Sequence, residues 1–223
     1  MPRAREKEYF DLGREPDLKV LRALIELIDG YRVNYFGDPR PFSERIRGNA
    51  LGREVREEWK TIYRSLMKIA MTVERIPEVK KYVELQGILR SMSVILAFTA
   101  FSMPIINALG VAKISLWIPF SLAVCGAALL IASWVAGRGV AVAIDAYFRA
   151  HEEKYKFVRT YLVRVNQKLI NSLRRQLRKK GEDPEKHKLK LFNVDYRGIK
   201  ILKGPSFLRK RYVVSVVVRP AQP

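Results

Sequence analysis

His151-Glu152-Glu153 comes nearest, by residue type, to metal-assisted hydrolysis. A histidine followed by glutamate, with a second histidine one helical turn on, would hold zinc and leave the glutamate as base. Position 155 is tyrosine, so the second ligand is missing. Gly137-Arg138-Gly139 followed by Asp145 has the texture of a charged membrane-interface site. Such a site needs several carboxylates on one helix face to hold a metal, and Asp145 stands alone there. Asp145 reads better as an ion-pair partner for Arg138, Arg149 or a neighbouring helix. No paired-cysteine motif, phosphate-cradling glycine loop, nucleophile elbow or dinucleotide fingerprint is present. One cysteine and two histidines exclude a disulfide framework and the usual zinc clusters. The expectation is a protein that is not an enzyme, with no catalytic, metal or cofactor site.

What the chain offers instead is positive charge. Its 223 residues carry 42 Lys and Arg against 22 Asp and Glu, a net +20. Residues 1–90 hold 19 basic and 15 acidic residues, a net +4, while 138–223 hold 22 and 7, a net +15. The candidate surface for an anionic partner is Arg174, Arg175, Arg178, Lys179 and Lys180, then Lys186, Lys188 and Lys190, then Arg209, Lys210 and Arg211. Such clusters neutralise phosphates or acidic side chains, and close to a bilayer they attract anionic lipid headgroups. A straight helix from 140 to 178 would be about 57 Å long, several Debye lengths from lipid. On that geometry the distal cluster suits a soluble acidic protein or nucleic acid. The plainer reading is a solvated basic face.

The elements that must carry these residues are of two kinds. The mean hydropathy of −0.10 conceals an almost uncharged stretch between Arg90 and Arg138, interrupted by Lys113 alone. Its two parts, 91–112 and 114–137, are each long enough as helices to cross a hydrocarbon core of about 30 Å. Trp117 and Trp134 lie near the ends of the second span, and Arg90 and Arg138 flank the pair; all four are expected membrane-interface anchors. The first 30 residues carry charges every few positions, unlike a signal peptide. Basic residues crowd both flanks and spare the turn near 110–115. That distribution places both termini in the cytoplasm of a multi-pass cell-membrane protein. Pro104, Pro119 and Asn107 are expected inside the spans. Cys125 and the small residues from Gly126 to Ser133 are expected to pack.

On the flanks, Leu18, Leu21, Leu24, Ile25 and Ile28 predict a short amphipathic helix within an N-terminal region, 1–42. Ser43 is a candidate N-cap for a long helix in 43–90. There Val55, Trp59, Ile62, Leu66, Ile69, Val73 and Ile76 alternate by four and three, the spacing of a coiled-coil seam. A matching basic helix in 138–180 carries Tyr155, Val158, Leu162, Val165 and Leu169. Folding the chain at 112 would set the two seams face to face as a continuation of the 91–137 hairpin. In 181–223, three short β-prone stretches read as a small meander. The fold class is therefore mainly α and integral to a membrane: a two-span transmembrane helical hairpin, extended by long amphipathic cytoplasmic helices, with a small C-terminal β meander.

The layout over 43–178 is similar to the two-transmembrane effector domains of prokaryotic conflict systems. The likeness is one of architecture, and it implies a protein that perturbs membranes when triggered. The residues themselves point first to a membrane-anchored scaffold or adaptor acting through its basic cytoplasmic region. The alternative is an oligomeric, channel-like effector, and a membrane-interface enzyme comes last. Expected partners are the lipid bilayer, anionic headgroups, an acidic protein or nucleic acid, and a second copy of the chain. Few Asn and Gln beside abundant Arg, Lys and Glu lean toward a thermophile.

Overall fold

The computed structural model describes residues 7–206 and 209–218; residues 1–6, 207–208 and 219–223, parts of the expected terminal regions, lie outside the described residues. The helices are α1 (Leu18–Arg32), α2 (Arg40–Arg47), α3 (Gly52–Glu74), α4 (Pro77–Ala108), α5 (Trp117–Ala150) and α6 (Glu152–Lys180). Strands β1 (Leu189–Leu191), β2 (Ile199–Lys203) and β3 (Tyr212–Val216) follow. The chain divides into two units, Met1–Ala70 with Glu152–Pro223, and Met71–His151.

In the first unit, the Asp17 carboxylate accepts from the amides of Lys19 and Val20 and starts α1. The apolar side of α1 is buried as its spacing predicts. The long helix expected from Ser43 is instead two helices. Asn49 and Gly52 take φ of 63° and 81° and turn the chain between α2 and α3. A Cβ at Gly52 would stand 2.6 Å from the backbone carbon of Leu12, so only glycine fits that left-handed corner. Ser43 lies within α2 and accepts from Trp59 Nε1 at 3.2 Å rather than capping a helix. The stripe of α3 from Val55 to Ile69 is buried, and so is that of α6 from Tyr155 to Leu177.

α1, which had no assigned partner, lies against α6. α3 reaches α6 through the Tyr161 hydroxyl, which donates to the Glu58 carboxylate. Folding at 112 would have set Glu58 against Asn166; it meets Tyr161 instead. The segment before α1 is strapped along α6. Ser172 Oγ accepts from the Phe10 amide at 2.8 Å, and Asn171 Nδ2 donates to the Glu8 carbonyl at 2.8 Å.

The sheet is antiparallel in the order β1-β3-β2, so the last strand takes the centre and the expected meander is corrected. β3 reads Tyr-Val-Val-Ser-Val and has the most apolar surface to bury. β2, with Lys200 and Lys203, suits an edge. Leu189, Leu191, Val214 and Val216 bury one face, with β1 against α1 and β3 against α6.

The second unit is the antiparallel pair α4 and α5. Its inner seam is built from small groups. Ser93 and Ala100 of α4 and Gly126 and Ser133 of α5 are buried, each pair separated by seven residues. Ser93 Oγ donates to the Gly126 carbonyl at 2.8 Å. A Cβ on Gly126 would meet the Ser93 carbonyl oxygen at 3.4 Å, which shows how closely the backbones approach. Both helices are long and apolar enough to cross a membrane, yet only 11% of the apolar window in each is buried.

Asn107 lies within α4 near its outer end, as expected, and is engaged there: its side chain donates to the Ile114 carbonyl and accepts from the Ile114 amide, both at 3.2 Å, clasping the turn. Pro119 sits in the first turn of α5, where an amide has no helical partner to lose. Cys125 is exposed on the outer side rather than packed. α5 ends at Ala150, and the helix expected to run unbroken from 138 to 180 restarts at Glu152. The straight 57 Å reach that separated the distal cluster from lipid assumed no such break.

Candidate functional site

The C-terminal half of α6 carries the densest part of the basic candidate surface. Asn171, Arg174, Arg175 and Arg178 follow helical spacing on one side, and with Val217 and Val218 they line a hollow of about 240 Å3. Arg174 is held rather than free. Its Nε donates to the Val217 carbonyl at 2.9 Å, and its guanidinium lies so close to Gly198 that a Cβ there would stand 2.4 Å from Nη1. Gly198, at φ +77°, thus provides both the turn before β2 and the room for Arg174. Arg175 stacks 4.2 Å above the centre of the Tyr9 ring, within reach of a cation–π attraction, and stays exposed. Arg178 is exposed beside them.

The remaining candidates are dispersed. Lys179 and Lys180 line a separate hollow with Asp11, Arg14 and Gln176, and Lys180 lies 3.8 Å from Glu182. Arg211 turns the other way, stacked over Tyr35 and Phe192 with Glu26 at 3.9 Å. Arg209 donates to the Gly204 carbonyl at 2.8 Å. Lys186, Lys188, Lys190 and Lys210 are exposed and line none of these hollows. The eleven residues therefore occupy several faces: Arg174, Arg175 and Arg178 share one hollow, and Lys179 and Lys180 share another. Tyr9 and Arg14 belong to the basic surface too, and nothing in the sequence linked them to residues more than 160 positions away.

A different cluster went unforeseen. Asp29, wholly enclosed on α1, accepts from the amides of Phe192 and Asn193, from Asn193 Nδ2 at 2.9 Å and from the Tyr196 hydroxyl at 2.9 Å. Tyr196 accepts in turn from Asn166 Nδ2 of α6 at 2.8 Å. Burial, with the Asp29 charge beside it, raises the Tyr196 phenol well above its ordinary value. Arg32 is partly buried, which opposes its charge, but its fork onto Asp195 outweighs that, and the guanidinium is held charged. The same fork pulls the Asp195 carboxyl below its usual range. This network ties α1, α6 and the 192–197 loop together; Asn166 spends its Nδ2 on Tyr196, and its buried Oδ1 has no hydrogen-bond partner among the described residues.

The residues first considered for metal chemistry have structural duties. His151 closes α5, with Nδ1 2.9 Å from the Tyr147 carbonyl and its ring stacked on Tyr147. Asp145 pairs with Arg149 one turn on. Tyr155, at the place of the missing histidine, is buried. Among the described residues, no group of three or more His, Cys, Asp or Glu side chains could hold a metal ion.

The expected anchors lie on the hairpin. Arg90, Trp117, Trp134 and Arg138 are all exposed, with the Arg138 guanidinium 3.7 Å above the Trp134 ring. No protein-family model, curated protein or solved structure matches the chain.

Proposed function

We propose that this protein is a non-enzymatic two-span membrane anchor whose basic helical domain acts as a scaffold or adaptor for an anionic partner. The observation that carries the membrane part is exposure. A core helix of a soluble protein hides most of its apolar side chains, whereas α4 and α5 bury 11% of their apolar windows. Phe98 and Phe101 are 76% and 78% exposed on α4, which water disfavours and hydrocarbon does not. The charge distribution supports cytoplasmic placement of both termini, with Lys113 on the far side. The first unit has its own apolar core, so the basic residues of α6 stand on a folded support.

The test uses the full chain. Alkaline carbonate should leave it in the membrane fraction, and release to the supernatant would overturn the anchor. In neutral-lipid nanodiscs, it should bind a short fluorescent RNA or polyglutamate at low salt, and R175E/R178E should weaken that binding. No binding of either probe removes the adaptor reading.

Small residues on the outer side of α5 (Ala127, Ala128 and Ala132, all exposed) support a second reading, an oligomeric channel-like effector. Pro104, inside α4, belongs to the same reading, whereas Asn107 clasps the turn and Pro119 sits in the first turn of α5. Ion flux from reconstituted liposomes is its test.

A further inference from the structure

We infer that the groove between α4 and α5 at the Arg138 end is a binding site for one phospholipid bearing a primary amine in its headgroup, of the phosphatidylethanolamine type. The inference rests on the membrane reading above. The groove has a volume of about 880 Å3 and lies wholly within the hairpin. Its walls are Leu85 and Leu89 on α4 with Ala132 and Val135 on α5, and its other end carries Tyr82, Arg138 and Glu78 beside the apolar Val142 and Ala143. A Cβ on Gly139 would stand 2.8 Å from the Tyr82 ring, so Tyr82 packs where that glycine leaves space.

The order of groups along the groove selects the occupant. Leu85 and Leu89 lead toward the charge-free part of α4, and Val135 and Ala132 lead toward that of α5. This apolar end joins the exposed apolar band of the hairpin, where acyl chains would lie. Arg138 follows, leaning back over Trp134 as side chains lean toward a helix N-terminus. Glu78, in the first turn of α4, is farthest from the charge-free stretch. Chain, phosphate and ammonium succeed each other in that order in an amine-bearing phospholipid. Interfacial pockets between spanning helices that carry a cation hold lipid phosphates in this way. Arg138 and Glu78 are the two ionised groups of the lining, so the groove as a whole is near neutral. That matches a zwitterion better than an extended anionic headgroup. A primary ammonium can donate hydrogen bonds to a carboxylate, which a quaternary choline cannot.

The experiment is native mass spectrometry of the full chain in neutral detergent, offered equal amounts of phosphatidylethanolamine, phosphatidylcholine and phosphatidylglycerol. The chain should retain one phosphatidylethanolamine about fivefold over either competitor, the size of one well-placed charge near the interface. R138Q should lower retention of all three, and R138K should keep it. E78Q should shift the preference toward phosphatidylglycerol. V135W fills the groove without touching either charge and should lose the bound lipid. Equal retention of the three lipids, a wild-type preference for phosphatidylglycerol, or an unchanged preference in E78Q overturns the inference. So does a dimer whose groove excludes every lipid, which would give that face to a second copy. A chain that carbonate releases from membranes fails the membrane reading itself; one that stays but shows no headgroup preference fails only the groove.

Discussion

Asp29 shows how much of this protein depends on single buried groups. Four donors converge on a carboxylate that water does not reach. D29A should leave them unpaired and cost about 3–5 kcal/mol, read as a lower denaturant midpoint of the solubilised chain by circular dichroism. Y196F removes one hydroxyl from the same network and should cost about 1–2 kcal/mol in that assay. Asp195 gives a pH dependence of definite sign. Its carboxyl titrates below the ordinary value because Arg32 donates to it, so the folded state binds its proton less readily than the unfolded chain. The stability it lends is present above the ordinary carboxylate range and is lost as pH falls through the lowered value. Glu54 behaves likewise, held down first by the Asp11 amide and then by Lys7. D195N should flatten the acid limb of a melting-temperature profile, and an unchanged limb would contradict the assignment. At this scale the sequence was least informative. It marked Arg175 and Arg178 by their run of charge, but Asp29 and Tyr196 are 167 residues apart and carry no local signature.

Helices were more legible because their apolar periods are local. The stripes of α1, α3 and α6 were readable residue by residue, and each is buried. The breaks were not: Asn49 and Gly52 take positive φ, and the Leu12 backbone, 40 residues from Gly52, stands where a Cβ at Gly52 would go. The α4–α5 seam yields a prediction at the same scale. G126L would drive a branched side chain into the Ser93 carbonyl and Leu96, forcing the helices apart and lowering the thermal stability of the solubilised hairpin. S93A loses only one hydrogen bond and should cost about 0.6 kcal/mol, as such bonds between membrane helices do. Strand order gives another. Because β3 lies between β1 and β2, ending the chain after Lys203 removes both ladders rather than one edge. Limited proteolysis of that truncation should cut within 188–203, where the full chain resists; equal resistance would mean that the remaining strands find another partner.

For the molecule as a whole, the proposed adaptor role predicts a strong response to salt. If about five basic residues neutralise phosphates, raising salt from 50 to 200 mM should weaken duplex DNA binding about 500-fold, and a flat response would remove phosphate neutralisation as its basis. The sequence alone determined the two long uncharged stretches, the asymmetry of charge and the helical character of the flanks. Each is a sum over neighbouring residues, so no knowledge of distant partners is needed. Only the tertiary structure decided where the chain turns, that α1 lies against α6, that β3 takes the centre of the sheet, and that eleven basic residues occupy several faces. Those features depend on which distant groups meet: a carboxylate with the amides of a loop, a glycine with another segment's backbone, a last strand with two earlier edges. Packing and hydrogen bonding select such pairs by shape and satisfied polarity, and neither is written in the spacing of adjacent residues.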